Sequence, residues 1–351
     1  MITSLRLQNF RSYRDSTFDF VPEVNIIVGP NASGKTNILE AVLVLAHGQS
    51  YRGRDVELIK NQAPWSRIDS FVNGLPRGVK LERQTASAIK SFVIDDKEIK
   101  HLQSNSKLPV VYFEPDHLAA FTRGPEQRRN YFDDLLERTS PNYKTSLASY
   151  KRTLSQRNAL LKRPSREVVQ QVFAWDVRLG ETGARIAEER EKLIKKINLK
   201  LSGTYSKIAR SKNKLIINYQ PMFPINRYGS AMVSGLSTRL NQDIERGFTS
   251  VGPHREDFLP QINNKPMEEV ASRGEMRSLL LALKTIELEL VRDTGGQPAL
   301  LLLDDVFSEL DSQRRQALVN LIKDYQTILT TTDADAIVDY FSPNYKIINL
   351  D

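Results

Sequence analysis

The chain has 351 residues, with 50 Lys+Arg against 42 Asp+Glu, four His and no Cys. The missing cysteine excludes disulfides, thiolate-bound zinc and thiol catalysis, and makes a reducing compartment the natural home. No apolar run is long enough to cross a bilayer and the opening Met1-Ile2-Thr3-Ser4-Leu5-Arg6 lacks a signal-peptide stretch, so a cytoplasmic protein with no membrane partner is expected.

The length allows one large domain or two smaller ones, and the charge favours two. From 116 to 239 there are 24 Lys+Arg and 11 Asp+Glu, a net +13, while the remainder holds 26 and 31, a net −5. A basic block inside the chain, with no basic tail, points to a separate unit with its own surface. His47, His101, His117 and His254 show no metal-ligand spacing.

The first stretch alternates as strands do, with Leu5, Leu7 and Phe10, then Phe18 and Phe20, then the run Val24 to Val28. Next comes Gly29-Pro30-Asn31-Ala32-Ser33-Gly34-Lys35-Thr36, a full match to G-x-x-x-x-G-K-[ST], and the run from Asn37 to Leu43 has a helical pattern. Strand, glycine loop and helix form the context in which this pattern holds phosphate. Gly29 and Gly34 permit backbone conformations closed to other residues, so successive amides turn inward to the ligand. Lys35 then reaches the β- and γ-phosphates, Thr36 reaches Mg²⁺, and the helix N-terminus adds the positive end of its dipole. A nucleoside triphosphate is the expected ligand.

Short β-like runs follow at Phe71-Val72, Val79 to Leu81 and Ser91 to Ile94, ending at Val110-Val111-Tyr112-Phe113. From about Asp116 the pattern turns helical. Val172, Trp175 and Leu179, then Ile186, Leu193, Ile197 and Leu201, recur as one buried helix face, and Glu188 to Lys192 supply a solvated one. Pro221 to Gly235 reads as loop. After about Leu240 the α/β pattern returns: helix Met276 to Leu290, strand Ala299 to Leu303, helix Ser312 to Asp324, strand Thr327 to Thr331. An α/β head made of 1–115 and 240–351, interrupted by a basic helical arm at 116–239, is the predicted organisation.

Ala299 to Asp305 is a buried-strand pattern ending in two carboxylates, the usual place for a Mg²⁺-positioning group beside a phosphate loop. Asp304 takes that role, and Asp305 is placed to polarise the attacking water. Upstream, Ser272 and Glu275 stand in the S-x-x-E relation of a capping box. The exposed amides of such a helix start also suit an anion.

Ala271-Ser272-Arg273-Gly274-Glu275 resembles the S-G-G-Q signature of ABC-type ATPases, with Arg273 and Glu275 replacing Gly and Gln. Followed by Asp304-Asp305 and Ser308-Glu309-Leu310-Asp311, it has the layout of ABC-class heads, and Asn9-Phe10-Arg11-Ser12-Tyr13 narrows this to the SMC-like branch. Two further stretches are similar to the RecF family of bacterial DNA replication and repair ATPases. One is Pro115-Asp116-His117-Leu118, continuing through Arg123-Gly124-Pro125 and Arg128-Arg129 to Phe132-Asp133. The other is Gly252-Pro253-His254-Arg255-Glu256-Asp257-Phe258.

The resemblance implies an α/β fold, an ABC/SMC-like P-loop ATPase head with an inserted, mainly helical arm. Gly29 to Asn37 become the ATP phosphate loop, and Arg11 falls where related heads place a phosphate-contacting arginine. Ser272 and Gly274 contact the γ-phosphate of ATP held by a second subunit, with Ser308 to Asp311 lining that interface. Ala32 replaces a usual glycine, a small change. Asp305 stands where most such ATPases have a catalytic glutamate one methylene longer, so slow hydrolysis is expected. Thr331-Thr332-Asp333 occupies the place of the switch histidine, and Glu114 or Asp116 only loosely replaces the Q-loop glutamine.

The function so implied is an ATP-dependent homodimer that clasps DNA at single-strand/double-strand junctions or in gapped duplex, with RecR and RecO as partners by resemblance. Arg52, Arg54, Lys195, Lys196, Lys200, Lys207, Arg210, Lys212 and Lys214 suit sequence-independent phosphate contacts. A transporter ATPase subunit shares the P-loop and signature, but the basic insertion and the Gly252–Phe258 stretch argue against it. A small-molecule P-loop kinase needs neither Ser272 nor the Ser308–Asp311 loop. An ATP-binding clamp or scaffold with negligible hydrolysis uses the same pocket and is not separated by sequence.

Overall fold

The computed structural model describes residues 1–103, 106–162, 168–295, 298–341 and 345–350. The chain divides into two compact units, Met1–Pro115 with Glu287–Asp351, and Asp116–Ile286. The first boundary lies where the charge and periodicity change. The second falls inside the helix Arg273–Gly295, not at residue 240. Residues beyond 240 group with the arm because strand Asp257–Ile262 pairs antiparallel with Leu215–Gln220, and because Asp243 and Glu256 neutralise buried arm arginines. The larger inserted unit keeps its basic surplus, with 30 Lys+Arg against 18 Asp+Glu.

The first unit holds two sheets. Six antiparallel strands run in the order Tyr13–Asp19, Ile2–Phe10, Trp65–Val72, Leu75–Arg83, Ala88–Ile94, Lys97–Ile99. Five parallel strands run in the order Tyr345–Asn349, Val24–Val28, Thr327–Thr331, Leu300–Asp304, Val110–Phe113. The helix Lys35–His47 shares one apolar cluster with residues of both sheets, among them Leu5, Leu7 and Ile68, and Ile27, Leu302 and Ile328. A helix buried on every side must be apolar on every side, and Ile38 to Ala46 are, apart from Glu40. Its C-terminus is braced as well. Gly48, at φ 77, donates to the Val44 carbonyl, and Arg77 donates to the carbonyls of Leu45 and Ala46. Burial lowers the Arg77 guanidinium to about 10, still cationic at neutral pH and matched to the negative end of the helix.

The second unit is mainly helical, built on Pro125–Thr139, Tyr143–Leu161 and the 42-residue helix Val168–Ala209. Val172, Leu179, Ile186, Leu193, Ile197 and Leu201 are buried as their spacing predicts, and Trp175 is half-buried. The stretch expected to be loop instead contains a helix, Tyr228–Thr238. Tyr228, Met232 and Leu236, four apart, form its buried face. Its glycine serves contact: a Cβ on Gly180 of the long helix would lie 2.8 Å from the Gly229 carbonyl oxygen and 2.7 Å from Val233. The two backbones touch where a side chain would hold them apart.

The two family-like stretches meet in this unit. Arg128 chelates Asp257 at 2.8 Å through both Nε and Nη2 and also pairs with Glu268. Arg129 donates to the Glu256 carbonyl at 2.8 Å, and the Phe132 and Phe258 rings pack at 4.5 Å. Arg190, fully enclosed, bridges Asp133, the Pro253 carbonyl and Glu256, while Tyr219 and Tyr228 donate to the same Glu256 carboxylate. Arg157 is likewise buried between Asp176 and Asp243. Pairing of this kind is what lets a basic unit bury arginine at all.

His254 accepts from the Tyr150 hydroxyl at Nδ1 (2.6 Å) and donates from Nε2 to the Thr249 carbonyl (3.1 Å), the arrangement of a neutral imidazole. Burial lowers it from 6.5 to about 4. The unfolded chain therefore binds a proton that the fold refuses, and stability falls as pH drops from about 6.5 to about 4, by about 3 kcal/mol in all. Urea unfolding of the wild type at pH 7 and pH 4.5 should show this loss, and His254→Gln should flatten that part of the profile.

Candidate nucleotide site

The parallel strand order brings the ends of three strands to the glycine loop. Strand Val24–Val28 feeds Gly29 to Gly34, its neighbour Thr327–Thr331 ends beside it, and the next strand ends at Asp304. Such strand ends are where open α/β sheets bind ligands. Gly34, at φ 102, makes the left-handed turn into the helix, and no side chain caps that helix start. Its first-turn amides are thus presented to an anion. Ala32 also lies in left-handed space, at φ 67, so replacing glycine there costs about 1–2 kcal/mol of backbone strain and is more than a small change.

Lys35 is buried and folds back on its own loop, donating to the carbonyls of Gly29 (2.6 Å) and Pro30 (2.7 Å). The hydroxyl of Thr36 lies 3.1 Å from Asp304 Oδ1, so two residues 268 positions apart form one oxygen cluster. Thr330 adds a 2.6 Å bond to Oδ1, and the Tyr112 hydroxyl lies 3.2 Å from Oδ2. Among the described residues no group of three or more His, Asp or Glu side chains forms a metal centre by itself. A hard cation held by Thr36 and Asp304 would take its other oxygens from phosphate and water, as Mg²⁺ does. The Ser33 Oγ is buried with no hydrogen-bond partner among the described residues.

Asp305 sits at φ 49, with its amide on the Thr330 hydroxyl and Ser308 donating to its carbonyl. Its buried Oδ1 has no hydrogen-bond partner among the described residues. Burial first, and Asp304 beside it, raise its carboxyl above the ordinary range, which suits a group that must accept a proton near neutral pH. The turn after the last of these strands is closed by Thr331 and Asp333, whose hydroxyl and amide bond across it.

Arg11 differs from expectation. Its guanidinium is committed to Glu40, at 2.9 and 2.7 Å, and to the Glu57 carbonyl at 2.9 Å, instead of being turned to the loop. Glu40 is the single acid inside the loop helix, fully buried, and Ser50 also donates to it. Arg11 is thus a strut for the helix that carries Lys35. Asp311 caps the helix Ser312–Ile322 through the Arg314 amide at 2.9 Å. In the other unit, Ser272 and Glu275 form the capping box the sequence predicts, with the Ser272 hydroxyl and amide 2.9 and 2.8 Å from Glu275 Oε2, and Gly274 lies in the first turn.

Sequence reasoning missed Tyr13, Glu40, Tyr112 and Thr330. Tyr13 donates to the Gly34 carbonyl, and a Cβ on Gly34 would lie 2.7 Å from its hydroxyl. Glu40 and Tyr112 are polar groups inside apolar runs, and all four act through partners distant in sequence, a signal legible only once the partner is in place. Tyr112 also lies 2.8 Å from Glu114 and 2.6 Å from the Tyr51 hydroxyl. Burial pushes both tyrosines well above their ordinary value, so they remain protonated. Arg52 and Arg54 are exposed just beyond, Arg54 paired with Glu57. In the arm, Lys195, Lys196, Lys200 and Lys207 are exposed along the end of the long helix, and Arg210, Lys212 and Lys214 on the following loop. Lys195 pairs with Glu191.

Arg11→Ala should leave Glu40 buried without its main partner and cost about 3 kcal/mol, the lower end for a broken buried pair because Arg11 keeps some exposure. Urea denaturation would measure it, and Glu40→Gln combined with Arg11→Ala should recover part of the loss.

The family model described as RecF/RecN/SMC N terminal domain matches residues 1–348. A protein of Clostridium tetani named DNA replication and repair protein RecF is 33% identical over 99% of this chain and 97% of its own. A protein of the same name from Microcystis aeruginosa is 34% identical over 93% and 92%. Among solved structures, the recombination mediator protein RecF bound to an ATP analogue, described as part of the RecFOR pathway, superposes with a TM-score of 0.87 at 28% identity, covering 100% of this chain and 97% of that one. An Smc head domain from Pyrococcus furiosus, 17% identical with a TM-score of 0.53 and coverage of 99% and 92%, shares the fold.

Proposed function

The chain is a member of the RecF family of DNA replication and repair proteins, and we propose that it is an ATP-operated DNA-binding protein whose nucleotide is sandwiched between two copies of the chain. The observation that carries the nucleotide half is the Thr36–Asp304 contact at 3.1 Å beneath an uncapped helix start and a buried lysine. Lys35 and the loop amides bind the triphosphate, and Thr36 and Asp304 hold Mg²⁺, which neutralises phosphate charge. Asp305 orients and deprotonates the attacking water. Its short side chain keeps hydrolysis slow, so turnover acts as a timer for release.

Ser272 and Gly274 meet the γ-phosphate of the second copy's ATP, with Ser308 to Asp311 along the same interface. This reading is supported by an exposed helix start whose serine is bonded within its own turn by Glu275 and can exchange that bond for phosphate. DNA binds through Arg52, Arg54, the exposed lysines at the end of the long helix, and Arg210, Lys212 and Lys214 on the loop after it. With no base-reading motif, the preference is for structure, namely single-strand/double-strand junctions and gaps. RecR and RecO are proposed partners on the strength of the RecFOR pathway in which the similar solved protein is described.

Lys35→Ala should abolish binding of a fluorescent ATP analogue; tight binding by this variant would refute the site. Light scattering should detect dimers with ATP and Mg²⁺ that Ser272→Arg cannot form, and a wild type that stays monomeric would refute the shared nucleotide.

Affinity for gapped duplex should fall steeply between 50 and 200 mM salt, and the slope should become shallower by about one unit for each phosphate-contacting lysine changed to glutamine. Unchanged slopes for Lys207→Gln and Lys212→Gln would place the DNA surface elsewhere.

A further inference from the structure

Tyr112 has one hydroxyl proton and two carboxylates within reach, Glu114 Oε2 at 2.8 Å and Asp304 Oδ2 at 3.2 Å. One O–H serves one acceptor well. When the proton lies toward Glu114, Asp304 Oδ2 faces an oxygen lone pair; when it lies toward Asp304, that carboxylate is held in place. The Tyr51 hydroxyl, 2.6 Å away, completes the arrangement by donating to the Tyr112 oxygen and orienting its proton. The two rings also pack against each other, at 4.6 Å between centroids.

Tyr51 is 39% exposed, although its hydroxyl is turned inward. It opens the short turn that carries Arg52, Gly53 and Arg54, and the amides of Arg52 and Gly53 are gathered by the Ser50 hydroxyl, which donates to Glu40 on the loop helix. A displacement of this turn is therefore transmitted to the oxygen cluster along a continuous hydrogen-bonded path, Tyr51 to Tyr112 to Asp304. Coupling between sites requires an element with two discrete arrangements, and the Tyr112 proton, shared between two acceptors, is such an element.

We propose that Tyr112 is a positioning residue that sets the orientation of the Asp304 carboxylate, and that Tyr51 links it to DNA contact at Arg52 and Arg54. The proposal rests on the ATP and DNA reading above. It predicts that DNA and metal-dependent nucleotide binding are thermodynamically coupled, each altering the other by the same factor.

The test is equilibrium binding of a fluorescent, non-hydrolysable ATP analogue to the full chain, titrated with Mg²⁺ with and without saturating gapped duplex. In the wild type, DNA should move the Mg²⁺ midpoint by about fivefold or more. Tyr51→Phe, which keeps the ring contact, should lose most of that shift. Tyr112→Phe should raise the midpoint without DNA, while binding of the analogue in EDTA stays at the wild-type level. A full wild-type shift in Tyr51→Phe, or an unmoved midpoint in Tyr112→Phe, overturns the proposal. A wild type that binds both ligands with no shift overturns the coupling alone. A wild type that binds neither analogue nor DNA removes the functional reading and the coupling with it.

Discussion

A carboxylate at the end of a buried strand must be satisfied, and Asp304 is met by hydroxyls from three other segments: Thr36 of the loop helix, Thr330 of the adjacent strand and, sharing its proton with Glu114, Tyr112 of the strand on its other side. That requirement explains a threonine at a position otherwise suited to valine, and it fixes where the parallel strands end relative to one another. It also holds the loop helix at a set distance from the sheet, a placement that the Glu40–Arg11 pair and Arg77 maintain from other sides. The phosphate loop is therefore shaped by contacts outside its own eight residues.

Much of this was legible in the chain. Val24–Val28, Val110–Phe113 and Thr327–Thr331 form strands with the expected limits, the first two because each is a largely apolar run flanked by proline or glycine and the third because it is rich in β-branched residues. The loop, both aspartates and the Ser272–Glu275 box could be read because their chemistry is local. The helix Tyr228–Thr238 could not, since its glycines suggest a break and their reason, close contact with the long helix, appears only in three dimensions. The pairing of Leu215–Gln220 with Asp257–Ile262 is equally long-range, which is why the boundary expected at 240 lies beyond the strands that close the arm. The Arg11–Glu40 pair is equally long-range, since nothing nearby in sequence announces Glu40 as the partner of Arg11.

The residues that carry the family resemblance divide into two kinds. Those of the glycine loop and the Asp304 turn line a site. Arg128, Arg129, Asp133, Glu256 and Asp257 instead neutralise one another within the arm, and Phe132 packs on Phe258 between them. A recurring charged motif is here a device for folding a basic unit, in which each arginine taken from water needs a designated acid.

The interrupted connectivity of the first unit has a consequence for synthesis. Strand Val24–Val28 is made about 300 residues before both its neighbours, Thr327–Thr331 and Tyr345–Asn349. At about 5–20 residues per second the strand that leads into the phosphate loop waits tens of seconds for them. Meanwhile the antiparallel sheet, closed within its first hundred residues, and the whole of Asp116–Ile286 are available to fold. The parallel sheet is thus completed only after the arm has been made, and a chain stalled after the arm would present a finished basic unit without a completed phosphate-loop sheet.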